Sequence, residues 1–288
     1  MYQGVWRGSF RWLLVCGVAF GLLWCVAYII AGRGTSRTSL GKLLGHAPAV
    51  RDAGGYRKIH VFVALCDNKH QGIVPVPAAI GNGQDPPRNL YWGARYGVKT
   101  YFLRSHEWKL VGDIAKPKAH ILERLIFKHA RKKALLVADA YDGAYMRETI
   151  TDLLTGAAGM NAEEITVGGK PYAFGGGANL LAFVGHDGLM DFRLDLSLTP
   201  SAKPPKDVLL FCCASRPFFR PWIAQAGANP LIWTTNLMCP EAYTLKAAVD
   251  GWLNHEPPNS IRERVAREYS AYQRCSIPAA RKLFVTGK

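Results

Sequence analysis

The sequence predicts an α/β fold, in which a mainly parallel sheet is flanked by helices and preceded by one N-terminal transmembrane helix. Three observations lead to this fold class. Short, continuous apolar runs end abruptly in polar or glycine-containing sequence, as strands buried on both faces do. Segments with helical periodicity separate several of these runs, which is the alternation that builds a parallel sheet. An uncharged apolar stretch precedes the first run.

The composition supports a folded domain. Of the 288 residues 49% are hydrophobic, and 36 Lys and Arg outnumber 21 Asp and Glu, for a formal net charge of +15. A chain this apolar buries enough surface to offset its ordering entropy, which excludes a disordered protein. Seven cysteines are too few in so long a chain for a small disulfide-stapled domain.

The uncharged stretch covers residues 12–31, which is about the length that crosses a bilayer as a helix. Residues 1–31 are therefore predicted to be a membrane anchor, and a cleaved signal segment is the alternative. The apolar run is longer than an ordinary signal core, and Ile29 is a poor residue for a cleavage site before Ala31. We expect a single-pass protein of a bacterial inner membrane. Basic residues on both sides of the span leave its orientation open, with a lean to a periplasmic body.

Residues 32–57 are rich in Gly, Ser, Thr and Arg without a sustained period, so they are predicted to be a linker. The folded domain is expected to cover residues 58–288.

The basic residues beside the predicted span are expected to interact with anionic lipid headgroups. The remaining charge is diffuse except for a cluster at residues 131–133, with no aromatic residues interleaved. Nucleic acid is therefore not expected as a partner.

The apolar runs and periodic segments predict the elements of the domain. Strands are predicted at residues 59–65, 134–138, 180–184, 208–211 and 231–235. Helices are predicted at 120–133, 145–156, 241–253 and 261–272. In the Pro- and Gly-rich region 71–104, residues 89–96 suggest a short helix and residues 98–103 a strand. The glycine-rich pieces at 81–83, 167–170 and 175–179 match no phosphate-binding motif and are interpreted as turns.

Two chemically capable residues closely follow neighbouring predicted strands. His186 follows the third strand and Cys213 follows the fourth. The ligand site of such a sheet lies at the carboxyl ends of its strands. An imidazole there promotes the thiolate of a cysteine nucleophile and returns a proton to the leaving group. Turn N–H groups at Gly185 and Gly188 are candidates for oxyanion support.

The order of these parts resembles the caspase–hemoglobinase fold, the clan of cysteine peptidases that includes caspases, metacaspases and legumain. In that clan one strand ends in His-Gly, the next core strand ends in Cys followed by Ser or Gly two residues later, and a later strand and helix complete the sheet. This chain has FVGHDG at 183–188, LLFCCAS at 209–215 and LIWTTNLMCPEAY at 231–243. The resemblance implies a three-layer sandwich with His186 and Cys213 as catalytic residues and Ser215 beside the substrate.

The chain departs from the clan's pattern at two positions. Asp187 stands between the His and the Gly, which are normally adjacent in the clan. Phe211 stands two positions before the Cys, where many arginine- or lysine-specific members carry an acidic residue, which puts a preference for basic substrates in doubt. Asp67, at the end of the first strand, is a candidate carboxylate for a specificity pocket shaped by the 71–90 loop. Its alternative role is to cap that loop.

We therefore expect a membrane-anchored cysteine peptidase-like hydrolase that acts on a peptide or protein substrate. The alternative is a catalytically inactive caspase-like or flavodoxin-like module, which would bind a partner through the loop that carries Tyr91 and Trp92. The sequence lacks the G-x-S-x-G motif of serine hydrolases and the H-E-x-x-H motif of zinc peptidases. No cofactor is expected, and no metal, because Cys66 and His70 have no evident third or fourth ligand.

Overall fold

A computed structural model describes residues 51–287, so the predicted anchor and most of the predicted linker lie outside the described residues. The described strands are β1 (Arg57–Ala64), β2 (Trp108–Lys118), β3 (Ile121–His129), β4 (Ala134–Tyr141), β5 (Ala162–Val167), β6 (Lys170–Gly175), β7 (Leu180–Val184), β8 (Asp207–Phe211), β9 (Asn229–Thr234) and β10 (Phe284–Val285). The α-helices are α1 (Val98–Leu103), α2 (Met146–Ala157), α3 (Ser215–Gln225), α4 (Ala242–Leu253), α5 (Pro258–Gln273) and α6 (Ile277–Leu283). Within residues 51–287, no helix has both the length and the apolar character that a membrane span requires.

Eight strands form one sheet in the order β10-β9-β8-β7-β1-β4-β3-β2, and β5 pairs with β6 in a separate hairpin. The five strands β4, β1, β7, β8 and β9 run parallel to one another. Antiparallel strands complete both edges. The prediction of an α/β fold with a mainly parallel sheet flanked by helices is confirmed.

The continuous apolar character of the central strands follows from cover on both faces of the sheet. In β1, Val61 packs in a cluster with residues of α1, α4 and α5, whereas its neighbour Phe62 packs with residues of α2 and α3. Successive side chains of a strand point to opposite faces, so a strand between two helical layers needs apolar residues at every position. This arrangement leaves the ends of the strands as the places where polar residues can gather.

Most of the predicted elements are confirmed, with shifts of a few residues at their ends. The five predicted strands are β1, β4, β7, β8 and β9, and the helices predicted at 145–156, 241–253 and 261–272 are α2, α4 and α5. A 3-10 turn at Gly143–Tyr145 precedes α2, and the Asp142 side chain caps it by accepting a hydrogen bond from the Ala144 N–H at 3.0 Å. β1 begins at Arg57, and Arg51 pairs with Glu164 of β5.

The prediction of a helix at residues 120–133 is wrong, because most of that segment is β3. Leu125 and Phe127 of β3 pack in the cluster on one face of the sheet, and Ile126 packs on the other face against the β5–β6 hairpin. Because apolar residues are needed on both faces of the sheet, their spacing in this segment resembles that of an amphipathic helix. Tertiary contacts, rather than local periodicity, decide its conformation.

The two predictions for residues 89–103 are also wrong. Residues 89–96 form successive turns, and the segment expected to be a strand is α1. Val98 and Phe102 are the buried residues of α1, four positions apart and therefore on one face of the helix. Six apolar-rich residues are too few for sequence periodicity to distinguish such a short helix from a strand.

Candidate active site

The sheet brings His186 and Cys213 to the same edge. β7 and β8 are neighbouring parallel strands with Val184 opposite Phe211, and each of the two residues follows its strand by two positions. The Gly185 N–H donates to the Phe211 carbonyl at 3.2 Å, which continues the β7–β8 pairing up to the two residues. His186 and Cys213 line one cavity of about 240 Å³.

His186 is held by a carboxylate that the sequence did not single out. Its Nε2 lies 2.7 Å from Oδ2 of Asp191, and the same oxygen accepts a hydrogen bond from the Gly72 N–H at 3.0 Å. A short 3-10 turn at Gly188–Met190 returns the chain so that Asp191 faces His186. A carboxylate at Nε2 favours the tautomer that carries its proton there, and Nδ1 is then the basic nitrogen.

Cys213 lies in a sharp connection between β8 and α3. Ala214, the next residue, has left-handed backbone angles of φ 46° and ψ 36°, an uncommon conformation for a residue other than glycine. Such strained positions cluster at functional sites. Cys213 is partly exposed, whereas Cys212 is fully buried among apolar side chains. Of the two adjacent thiols, only that of Cys213 reaches the cavity.

The environment of the Cys213 thiol does not favour a resting thiolate. Burial raises its pKa, the Met238 backbone group lowers it, and the Asp187 carboxyl raises it further. The Met238 N–H donates to Sγ at 3.4 Å. In the described structure no hydrogen bond joins Sγ to His186. Catalytic hydrogen bonds are often long before substrate binds, so this geometry requires that the imidazole take the proton during attack.

The two glycines expected to support an oxyanion have other partners. The Gly185 N–H donates to Phe211, as described above, and the Gly188 N–H donates to the His186 carbonyl at 3.1 Å. Both N–H groups are engaged in backbone hydrogen bonds, which argues against the oxyanion support predicted for these two glycines. The N–H group of Cys213, in the connection between β8 and α3 at the cavity, donates no hydrogen bond within residues 51–287. This N–H group is the better candidate for oxyanion support.

The structure places the two expected substrate-binding residues away from the cavity lining. Asp67 is buried, and it accepts hydrogen bonds from the Lys69 N–H, from His70 Nδ1 and from Gln84 Nε2, each at 2.8 Å. This pattern is that of the loop cap, the alternative role stated for it. Ser215 begins α3, where its N–H donates to Thr234 Oγ1 and its Oγ accepts from the Thr234 N–H. It joins α3 to β9.

Asp187 is fully buried, and its two carboxyl oxygens have unequal environments. Oδ1 accepts a hydrogen bond from the Leu189 N–H at 3.1 Å, whereas Oδ2 has no partner in the described structure. Burial raises the pKa of this carboxyl to about 7, although the Leu189 N–H opposes the shift. An acid that ionises near neutral pH therefore lies close enough to raise the pKa of both Cys212 and Cys213.

Comparison of the chain with protein-family models, with curated proteins and with solved structures finds no match. Within residues 51–287, no group of three or more His, Cys, Asp or Glu side chains is arranged to hold a metal ion.

Proposed function

We propose that the chain is a cysteine peptidase-like hydrolase of the caspase–hemoglobinase type, held at a membrane by residues 1–31. The observation that carries this proposal is the placement of His186 and Cys213 after neighbouring parallel strands, at the edge of one cavity. The sheet also supports it, because β4, β1, β7, β8 and β9 run parallel and β10 adds an antiparallel edge after β9. In the caspase–hemoglobinase clan, the strand followed by the catalytic His lies beside the strand followed by the catalytic Cys, as β7 and β8 do here.

In the proposed reaction, Sγ of Cys213 attacks the carbonyl carbon of a peptide bond while His186 accepts the thiol proton. The carbonyl oxygen then carries negative charge, which the N–H group of Cys213 would stabilise. When the C–N bond breaks, His186 gives the proton to the departing amine, and the acyl group stays on sulfur. His186 next takes a proton from water, which attacks the thioester carbon. The C–S bond then breaks, the acid is released, and His186 returns the proton to Sγ of Cys213. Asp191 acts as a positioning residue that keeps His186 in its productive tautomer.

A second candidate function, a non-catalytic binding module, is favoured by the raised pKa of the Cys213 thiol. The loop residues expected to carry such binding are buried. Tyr91 lines the cavity, and the indole N–H of Trp92 donates to Glu123 at 2.6 Å inside the fold. A binding module would therefore bind its partner in the cavity itself. Because only the hydrolase needs a reactive thiol, the reactivity of Cys213 distinguishes the two functions.

The test is alkylation of the full-length protein by iodoacetamide at pH 7, with the modified cysteines identified by mass spectrometry. We expect Cys213 to react faster than Cys275, another partly exposed cysteine. His186→Gln should slow the modification of Cys213 at least tenfold, because burial raises the thiol pKa and the imidazole is needed to remove the proton. Cys275→Ala is the control, which should leave that rate unchanged. A Cys213 rate no faster than that of Cys275 and insensitive to His186→Gln would contradict the hydrolase and support the module.

The role of Asp191 gives a separate prediction. Asp191→Asn is expected to slow Cys213 alkylation about tenfold, because a neutral amide holds the Nε2 proton of His186 less firmly than a carboxylate does and no longer fixes the tautomer of the ring. Asp195→Asn, a change at another exposed Asp of the same segment, is the matched control. An unchanged rate of Cys213 alkylation in Asp191→Asn would show that this carboxylate only ties His186 to the 71–90 loop.

A further inference from the structure

The cavity beside the dyad has an apolar lining. Residues of the 71–90 loop line one part of it, and residues that follow β9 line another. Among the described residues that line it, His186 is the only one with an ionisable nitrogen, and none has a carboxylate. The apolar members with the largest side chains on these two segments are Ile73, Val74, Val76, Leu90, Leu237 and Met238.

The rim of the same cavity carries unusually exposed apolar side chains. Val74 is 77% exposed and Leu237 is 63% exposed, the two highest values among the large hydrophobic residues of the described chain. Met190, which is 44% exposed, also lines the cavity. Single exposed apolar residues need no explanation, but several gathered around one cavity mark a binding site.

Of the carboxylates nearest to this site in the chain, three are already engaged, and the fourth, Asp187, is fully buried outside the cavity lining. Asp67 accepts hydrogen bonds from its own loop, and Asp191 is hydrogen-bonded to His186 and to the Gly72 N–H. Glu241, which follows the lining residue Pro240, accepts from Gln273 at 3.3 Å. A basic side chain entering the cavity would lose its hydration without gaining an acceptor, and an acidic one would meet no cationic partner in the lining other than His186. An aliphatic side chain would lose only unfavourable contact with water.

We propose that this cavity is the specificity pocket of the site, and that it takes a medium-sized apolar side chain, such as that of Leu or Met, next to the peptide bond that is cleaved. This inference rests on the proposed hydrolase function. It replaces the expectation that Asp67 supplies a pocket carboxylate. It assigns binding of the substrate side chain to the apolar residues of the 71–90 loop and of the segment after β9.

The pocket is tested with the full-length protein and fluorogenic peptides that differ only in the residue before the cleaved bond. We expect kcat/KM to be at least tenfold higher for Leu or Met than for Arg, Lys or Asp, with all cleavage lost in Cys213→Ala. Leu237→Asp should reduce the ratio of Leu to Arg cleavage at least tenfold, because it places a carboxylate on the rim. Leu237 is largely exposed, so this change should not impair folding. Leu110→Asp, on β2 and 41% exposed, is the matched control that should leave the ratio unchanged.

The outcomes separate the pocket from the hydrolase. Preferred cleavage after Arg, Lys or Asp that still requires Cys213 would overturn the apolar pocket while the hydrolase stands. Equal cleavage of all peptides, or equal effects of Leu237→Asp and Leu110→Asp, would also overturn it. If no peptide is cleaved and Cys213 shows no enhanced alkylation, the proposed function fails and the pocket assignment fails with it.

Discussion

Asp139→Asn is expected to lower the free energy of unfolding by about 3 to 5 kcal/mol, because it breaks a buried ion pair and leaves the partner charge behind. Asp139 lies in β4 with no exposed surface. Its two oxygens accept hydrogen bonds from Nε and Nη2 of Arg124 at 2.6 and 2.7 Å. Nε2 of His60 donates to it at 3.0 Å, since Nδ1 of that ring accepts from the Gly175 N–H. One carboxylate thus joins β1, β3 and β4 inside the fold.

The pH dependence of this contribution follows from the pKa of Asp139. Burial alone would raise that pKa, but the hydrogen bonds from Arg124 and His60 and the charge of Arg124 outweigh burial and hold it at about 2. Because the folded pKa lies below the ordinary value of about 3.9, the stabilisation is present above pH 4 and is lost as the pH falls toward 2. Urea unfolding at pH 7 and pH 3 should therefore show a smaller difference between parent and variant at pH 3.

The matched control for this prediction is Asp85→Asn. Asp85 also pairs with an arginine, but Arg88 is largely exposed, so the change should cost less than about 1 kcal/mol. If Asp139→Asn cost no more than Asp85→Asn, the buried pair would contribute little, and Glu163, the second partner of Arg124, would hold the arginine alone.

The network around Asp139 illustrates what local sequence reasoning misses. The strand predicted at residues 134–138 ends just before Asp139, which would place this residue at the polar edge of the sheet, whereas β4 continues to Tyr141 and buries it. Its partner Arg124 lies in β3, the segment predicted as a helix. A helix would have placed that arginine on a solvated face, so the ion pair could not have been foreseen. The pairing depends on the register of β3 against β4, in which Arg124 lies opposite Asp139.

His186 and Cys213 could be placed from the sequence because their positions depend on one regular feature. Both follow continuous apolar runs by two residues, and parallel strands end at the same edge. Asp191 follows His186 by only five residues, but no periodicity connects them, since a 3-10 turn sets their contact. The engagement of Asp67, Ser215 and the two glycines depends on turn hydrogen bonds that have no simple sequence signature. Strand ends are therefore predictable, and the loop geometry that completes the site is not.

Asp187→Asn is expected to have the opposite effect to Asp139→Asn and to raise the free energy of unfolding at pH 8 by about 2 to 4 kcal/mol. Burial raises the folded pKa of Asp187 to about 7, above the ordinary value. Between about pH 4 and 7 the unfolded chain ionises this carboxyl while the folded chain keeps its proton. The stabilisation that comes from the protonated Asp187 carboxyl is fully present below pH 4 and is lost as the pH rises through 7. Asn cannot ionise, so the variant should lack this loss.

The same substitution tests whether the buried carboxyl acts on the candidate nucleophile. Asp187 raises the pKa of the Cys213 thiol, so Asp187→Asn should speed alkylation of Cys213 most at pH values above 7, where the parent carboxyl is ionised. Urea unfolding and iodoacetamide rates measured from pH 5 to 9 would show both effects, with Asp195→Asn as the exposed control. A variant that is less stable than the parent at pH 8, with an unchanged thiol profile, would mean that the carboxylate has a stabilising partner in the folded protein. A more stable variant with a more reactive Cys213 would show that Asp187, between His186 and Gly188, lowers both the stability of the protein and the reactivity of the Cys213 thiol.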